Sequence, residues 1–193
     1  KQLNIVEAFK QNYKVFVAGS SWPPDEDIFI RFFNEHKDWK LIIAPHVIGE
    51  DHLQQILSKL DRKTVRYTQT TAEEAAGAEC LIIDCFGLLS SIYHYGEVAY
   101  VGGGFGVGIH NVLEAAVWDV PVFFGPNNQR FQEAQGLLAS GGGFEIIDGD
   151  SFGALMSRFI SDAGYLKSAG DKAGAYVKSQ SGATDSVLSF VGF

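Results

Sequence analysis

Short apolar runs that alternate with helical segments constrain the fold of this chain more than any other feature. Seven such runs occur, at residues 14–20, 39–45, 64–67, 80–84, 97–103, 120–126 and 143–147. The segments between them are helical in character, as at residues 25–36 and 51–60, where aliphatic side chains recur on one face. Strands that are apolar on both faces and joined by helices indicate a parallel sheet covered on both sides. The pattern predicts a doubly wound, Rossmann-like α/β fold.

The composition of the chain and the absence of linker-like segments predict a single domain. The chain has 193 residues, of which 46% are hydrophobic, and no repeat, low-complexity tract or linker divides residues 1–193. Residues 151–193 indicate two or three helices, separated by Ser/Gly-rich breaks such as residues 178–186. The formal net charge of −8 argues against nucleic-acid binding, which needs a basic face. No apolar stretch approaches the roughly 20 residues of a membrane span, and residues 1–10 lack a signal-peptide pattern.

The two cysteines do not predict a metal site. Cys80 and Cys85 flank an apolar run, which favours buried, reduced thiols. A zinc site needs further cysteines or histidines at ligand spacing, and the sequence offers none. We therefore expect no bound metal.

The loops after the strands are the candidate functional segments. In doubly wound folds, ligands bind outside the carboxyl ends of the strands, where the strand order reverses. The segments after five of the predicted strands carry Gly, Ser, Asn or His: AGSSWPP, APHVIGED, DCFGLLSS, GGGFGVGIHN and GPNNQRF. We expect a small-molecule site at this edge of the sheet.

The glycine-rich segment at residues 102–111 is the most informative of these loops. It is not a dinucleotide fingerprint, because Val107 stands where G-x-G-x-x-G needs a small residue, and no Gly-Lys-Ser/Thr follows as in a P-loop. Asn111 and Glu114 have the spacing of a capping box. A helix starting at Asn111 points its amides at the loop and favours an anion. The alternative is that the two side chains only cap the helix.

Residues 96–138 resemble the C-terminal, donor-binding half of the bacterial 3-deoxy-D-manno-oct-2-ulosonic acid (Kdo) transferases. The shared pattern is a glycine-rich loop, a His-Asn pair, a Leu-Glu step and a Pro-Val-x-x-Gly-Pro segment. The similarity extends upstream through VFVAGSSW, LIIAPH and DCFGLLSS, and covers roughly residues 14–147. The resemblance implies one half of a two-domain GT-B glycosyltransferase that uses CMP-Kdo as donor. It also implies a lipid A precursor as acceptor, lipopolysaccharide synthesis, and work at the cytoplasmic face of the bacterial inner membrane.

Several positions depart from the family pattern. His46 stands near the arginine of the family's Ala-Pro-Arg-His, and Arg130 takes the place of an asparagine before phenylalanine. Ile109, Ala115 and Leu88 replace a glycine, a proline and an acidic residue respectively. These changes indicate a divergent branch, and they make His46 and Arg130 weaker assignments than His110, Asn111 and Glu114.

The resemblance, together with chemistry, implies a set of donor-binding residues. CMP-Kdo carries about two negative charges, which the helix dipole at residues 111–118, loop amides and basic side chains are expected to meet. Glu114 is expected to accept hydrogen bonds from ribose hydroxyls, and Pro45 and His46 to line the cytidine side. Ser20 and Ser21 either bond the phosphate or cap a turn, and Trp22 either stacks on the ligand or packs. The full set is Ser20, Ser21, Pro45, His46, Gly102, Gly103, Gly104, Phe105, Gly106, His110, Asn111, Glu114 and Arg130.

The chain offers no convincing catalytic residue. Glycosyl transfer needs a base for the acceptor hydroxyl, but Asp84 lies at a strand end and residues 25–27 begin a helix. The resemblance places the base, the acceptor site and the membrane contact in an N-terminal domain absent from this chain. No cofactor is expected, and the fragment alone is expected to be inactive. Two alternatives stay open: a GT-B half that uses a UDP- or GDP-sugar, and a non-catalytic nucleotide-sugar binding domain.

Overall fold

A seven-stranded, fully parallel sheet forms the centre of the molecule. The computed structural model describes residues 3–190, with side chains for residues 3–180. The strand order is β3-β4-β2-β1-β5-β6-β7, and every neighbouring pair is parallel. The strands are β1 Val15–Ser21, β2 Lys40–Pro45, β3 Thr64–Arg66, β4 Cys80–Ile82, β5 Val98–Val101, β6 Val122–Phe124 and β7 Gly143–Glu145. Each predicted apolar run overlaps one of them, so the doubly wound prediction is confirmed.

Helices cover both faces of the sheet. They are α1 Asn4–Lys10, α2 Pro23–Glu35, α3 Glu50–Lys59, α4 Ala72–Ala76, α5 Leu89–Ile92, α6 Leu113–Ala116, α7 Gln132–Ser140, α8 Gly149–Ser161 and α9 Ala163–Phe190, with 3₁₀ turns at Tyr67–Gln69 and Tyr93–Tyr95. Along β1, Val15 and Val17 enter one core layer, whereas Phe16 enters the other. Because both faces of the strands are buried, the strands appear in the sequence as continuous apolar runs.

The C-terminal region contains two helices, as predicted, but the predicted break at residues 178–186 is wrong. Helix α9 continues through this segment to Phe190. Serine and glycine cost a helix at most about 1 kcal/mol each, and the segment contains no proline to end it. None of the helices in the described part of the chain is long and apolar enough to cross a membrane.

The strand order locates the crevice. From β1 the chain first adds strands on one side, through β2, and later returns to β1 to add β5 on the other side. The carboxyl ends of β1 and β5 are therefore adjacent at the point where the winding direction reverses, which is where doubly wound folds bind ligands. The loops that follow these two strands hold Ser20, Ser21 and the glycine-rich segment.

The cysteines differ in burial. Cys80 is fully buried in β4, and burial raises the pKa of its thiol to about 12. Cys85 is only half-buried, so the prediction of a buried thiol is confirmed for Cys80 alone. The described residues include no group of three or more His, Cys, Asp or Glu side chains that could hold a metal ion.

Candidate functional site

The glycine-rich loop owes its composition to close contacts between backbones. A Cβ at Gly102 would lie 2.3 Å from the carbonyl oxygen of Ser20, and a Cβ at Gly104 would lie 2.6 Å from the backbone of Gly125. Gly103 has a φ of +97°, a conformation that side chains disfavour. Gly106 differs, because nothing lies within 4 Å of a Cβ placed there. Most of the bare backbone therefore lets the ends of β1, β5 and β6 converge.

The loop amides are partly used within the protein. Gly102 N donates to Gly19 O at 2.9 Å, Gly103 N to Oδ2 of Asp25 at 3.0 Å, and Gly106 N to Gly103 O at 3.1 Å. No described residue accepts a hydrogen bond from the amides of Gly104 and Phe105. Of the amides of Gly102–Gly106 that are predicted to bind an anion, only those of Gly104 and Phe105 therefore lack an acceptor among the described residues.

The helix after the loop is shorter than predicted. It spans Leu113–Ala116 and begins after Val112, not at Asn111. Asn111 Oδ1 accepts a hydrogen bond from Leu113 N at 3.0 Å, and its Nδ2 donates to Glu114 Oε1 at 3.3 Å. Glu114 thus bonds the Asn111 side chain and not its backbone amide, so the capping-box prediction is wrong in detail. Four residues align too few peptide dipoles for the predicted helix-dipole site at 111–118.

Three aromatic rings form a stack at the mouth of the crevice. The Trp22 and His46 ring centroids are 4.7 Å apart, and those of His46 and His110 are 4.5 Å apart. Trp22 Nε1 donates a hydrogen bond to His110 Nε2 at 3.4 Å. Trp22 therefore packs against site residues, and the stack brings together the loops after β1, β2 and β5.

His110 contributes a neutral ring to the site. Because its Nε2 accepts from Trp22, the exchangeable proton lies on Nδ1. Partial burial, and then the proximity of His46, lower the pKa of His110 below its ordinary value. His110 is therefore uncharged at neutral pH and can offer a ligand a hydrogen bond through Nδ1. Its role in donor binding stays a prediction.

A buried carboxylate lies beneath this stack. Asp25, in the first turn of α2, accepts hydrogen bonds from Tyr100 Oη at 2.5 Å, Trp22 N at 2.9 Å and Gly103 N at 3.0 Å. Burial raises the pKa of Asp25, although these hydrogen bonds oppose the shift. The sequence analysis explained Asp25 only as the start of a helix. The structure shows that it also ties the Trp22 loop to the glycine-rich loop.

The two serines after β1 have different environments. Ser21 is fully buried and donates through Oγ to Glu26 Oε1 at 3.0 Å, so its hydroxyl is already committed within the protein. Ser20 has a φ of +50° at a β-bulge and lines a groove. Of the two roles considered for the serines, Ser21 has the structural one, in the turn after β1, whereas Ser20 faces a groove that can hold a ligand.

Two grooves adjoin at the ring stack. One, of about 190 Å³, is lined in part by Ser20, Pro45, His46, Phe86 and Gly87. The other, of about 390 Å³, is lined by Ile109, His110, Asn111, Val112, Leu113, Phe131 and Glu133. The stacked histidines line one groove each, so the grooves are neighbours.

Phe86 and Gly87 were missed by the sequence analysis. Phe86 is 75% exposed at the rim of the smaller groove, and Gly87 has a φ of +84°. Their position in the loop after β4 was the sequence feature that could have identified them. An aromatic residue beside a glycine, directly after a buried strand, is unusual in a loop that only connects two elements. Exposure of a large apolar ring at a groove marks a candidate contact surface.

Arg130 lies against the glycine-rich loop from the β6 side. Its Nη2 donates to Val107 O at 3.1 Å, and its guanidinium lies 5.3 Å from the centroid of the Phe131 ring. Phe131 also lines the larger groove. The structure thus holds a permanent positive charge against the loop, and the donor-binding role of Arg130 stays a prediction.

Comparison with known proteins identifies relatives of the chain. No family model matches it. The 3-deoxy-D-manno-octulosonic acid transferase of Aquifex aeolicus is 30% identical over 163 residues, which are 80% of this chain and 44% of that protein. The chain is a homologue of the Kdo transferases. It spans less than half the length of this relative.

Solved structures share the fold. The C-terminal CMP-Kdo binding domain of WaaA from Acinetobacter baumannii superposes with a TM-score of 0.76 at 20% identity, covering 90% of this chain and 97% of that domain. Anabaena HepE, solved with UDP-glucose, superposes with a TM-score of 0.64 at 13% identity, covering 93% of this chain and 49% of that protein. The GT-B half predicted for this Kdo transferase homologue is therefore confirmed as a fold.

Proposed function

We propose that this chain is the donor-binding half of a Kdo transferase and that it binds CMP-Kdo at the carboxyl edge of its sheet. The observation that carries the proposal is the pair of adjoining grooves at the switch point of a chain homologous to Kdo transferases. The likeness to a CMP-Kdo binding domain supports the choice of donor. The individual site residues are proposed from the lining of the two grooves and from the sequence resemblance.

The smaller groove suits the nucleoside. Pro45 and the exposed Phe86 ring offer apolar surface to a flat base, which stacks favourably on such groups. Glu114 lies near Tyr93, whose pKa is raised by burial and, to a smaller extent, by the Glu114 charge. The ring of Tyr93 packs directly under Gly19 at the end of β1. In this proposal the exposed Glu114 carboxylate accepts hydrogen bonds from the ribose hydroxyls.

The larger groove suits the anionic part of the donor. A sugar carboxylate and a phosphodiester need donors and positive charge. His110, which lines the groove, supplies a neutral Nδ1–H, and Arg130, whose guanidinium lies against the lining residue Phe131, supplies the formal charge. The amides of Gly104 and Phe105, which no described residue bonds, are further candidate donors in the glycine-rich loop. Neither a metal ion nor a cofactor enters this scheme.

The proposal assigns the catalytic base and the acceptor to a separate domain. Among the described carboxylates near the strand ends, Asp25 and Glu26 are buried under the site, and Asp84 is paired with Arg66 Nε at 2.9 Å. The acceptor in this proposal is a lipid A precursor, and the site of action is the cytoplasmic face of the inner membrane. The N-terminal domain supplies the membrane contact.

The first test is a titration of the 193-residue chain with CMP, followed by calorimetry or by amide chemical shifts. Glu114→Gln removes a charge-assisted hydrogen bond, so we expect a loss of about 1.5–3 kcal/mol in binding, roughly a tenfold to a hundredfold weaker Kd. EDTA is expected to leave the Kd unchanged. Tighter binding of UMP or GMP than of CMP would favour a different nucleotide sugar, and an unchanged Kd in Glu114→Gln would return that residue to a purely structural role.

The second test asks whether the chain transfers sugar alone. The chain is incubated with CMP-Kdo and a lipid A precursor, and the lipid is analysed by mass spectrometry. We expect no glycosylated product above the no-enzyme control, because the proposal assigns both the base and the acceptor site to the N-terminal domain. Product formation would contradict the assignment of the base to another domain.

A further inference from the structure

The side chain of His52 joins two elements that both reach the proposed donor site. His52 lies in the first turn of α3, with 12% of its side chain exposed. Its Nδ1 is 2.7 Å from the carbonyl oxygen of Val47, and its Nε2 is 2.9 Å from Oε2 of Glu26. Both ring nitrogens of His52 therefore have a hydrogen-bonding partner, one in the segment before α3 and one in α2.

Glu26 continues this link to β1. Its side chain is fully buried, and its second carboxylate oxygen accepts the hydrogen bond from Ser21 Oγ at 3.0 Å. The carbonyl oxygen of Ser21 in turn accepts from His46 N at 2.9 Å. The series His52, Glu26, Ser21 and His46 is therefore connected end to end.

The contacts determine where the protons lie. A carbonyl oxygen only accepts, so Nδ1 of His52 carries a proton. A second proton lies between Nε2 and Glu26, because two lone pairs would otherwise face each other at 2.9 Å. Burial raises the pKa of Glu26, which favours retention of this shared proton.

His46 is held on both sides by this arrangement. Its own amide bonds Ser21, and the peptide carbonyl of the next residue, Val47, bonds His52. Residues 47–49 form neither helix nor strand, and the segment is restrained by these bonds and by the one from Leu53 N to Gly49 O at the start of α3. The His46 ring stacks on both Trp22 and His110, which also bond each other.

We propose that His52 is a positioning residue: by holding the Val47 carbonyl, it sets the place of the His46 ring and hence the shape of the smaller groove. The consequence for ligand affinity rests on the proposed function. The position of the stack in the free protein does not, and it is measured separately.

Two substitutions separate the two hydrogen bonds of His52. In His52→Asn the amide nitrogen takes roughly the place of Nδ1 and keeps the bond to Val47, whereas in His52→Gln it takes roughly the place of Nε2 and keeps only the bond to Glu26. We expect CMP to bind His52→Asn within about twofold of the parent chain. We expect about tenfold weaker binding to His52→Gln, the effect of one lost positioning hydrogen bond. His36→Gln is the matched control, because His36 also bonds a backbone carbonyl, that of Phe32, at the far end of α2.

The ligand-free readout is the ¹H–¹⁵N signal of the Trp22 indole, which senses His46 through stacking and His110 through its hydrogen bond. It is expected to shift in His52→Gln and to stay in place in His52→Asn and His36→Gln. Equal shifts in both His52 variants, or none in His52→Gln, would overturn the proposal. If His52→Gln does not fold, a shifted indole signal in His52→Asn still overturns it and an unshifted one supports it. Failure of the parent chain to bind CMP would remove the proposed function and leave the spectral result standing.

Discussion

The two edges of the sheet use their polar groups differently. At the amino edge, Lys40 Nζ donates to the carbonyl oxygens of Phe9 at 2.6 Å and Ala76 at 3.2 Å, near the ends of α1 and α4. Its ammonium also lies 4.5 Å from the centroid of the Tyr13 ring. At the carboxyl edge, none of the described residues hydrogen-bonds the ring nitrogens of His46, and Glu114 is exposed.

Polar groups at the amino edge thus contribute to stability, whereas those at the carboxyl edge are available for binding. A buried cation that satisfies two helix-end carbonyls stabilises the fold and leaves nothing for a ligand. Arg62, buried between β2 and β3, is the exception in this half of the molecule, because its Nε and Nη1 have no partner among the described residues. Exposed donors and acceptors around two grooves contribute little to folding and remain available for recognition. Substitutions of polar groups at the amino edge should therefore lower the unfolding free energy and leave CMP affinity unchanged. Substitutions of exposed polar groups at the carboxyl edge should do the reverse.

The largest expected effect tests a place where the carboxyl edge is also structural. Gly104→Ala inserts a Cβ 2.6 Å from the backbone of Gly125, so we expect destabilisation at the upper end of about 1–3 kcal/mol. Gly106→Ala is the control, because its Cβ meets nothing within 4 Å, and its stability should change by less than about 0.5 kcal/mol. Denaturant unfolding measures both. Equal stability of the two variants would contradict the backbone-contact explanation of the loop.

The next effect tests the amino edge. Lys40→Met leaves the carbonyls of Phe9 and Ala76 without their donor, so we expect a loss of about 1–2 kcal/mol in unfolding free energy. CMP affinity should stay unchanged under conditions where the variant is folded, the reverse of the profile expected for Glu114→Gln. Weakened CMP binding in folded Lys40→Met would show that the two edges are coupled.

The smallest effect concerns pH. The folded state lowers the pKa of His110, so the neutral ring contributes stability above the unfolded-state pKa, and this contribution is lost as pH falls through the lower folded value. Between pH 7.5 and 5.5 the Tm of the parent chain should fall slightly more than that of His110→Gln. Thermal melts of both proteins at matched ionic strength measure the difference. Parallel curves would mean that His110 titrates alike in both states.

Much of the fold was predictable because it depends on local pattern. Each of the seven apolar runs became a strand, since burial on both faces leaves the same signature in every strand of a covered parallel sheet. The position of the site followed from the general rule for strand ends. The end of α9 and the length of α6 were not predictable, because helix limits depend on weak preferences that a few contacts override.

Sequence alone determined the strands, the two-sided covering and the loops that carry the site, because these depend on residue type and spacing. Only the tertiary structure decided what those residues do. Gly102 and Gly104 serve backbone contacts, Ser21 is committed to Glu26, and His110 is neutral because burial and His46 disfavour its charge. Apart from the bond between Ser21 and Glu26, which are five residues apart, these outcomes depend on partners distant in sequence. The distances and the degree of burial exist only once the strands are side by side.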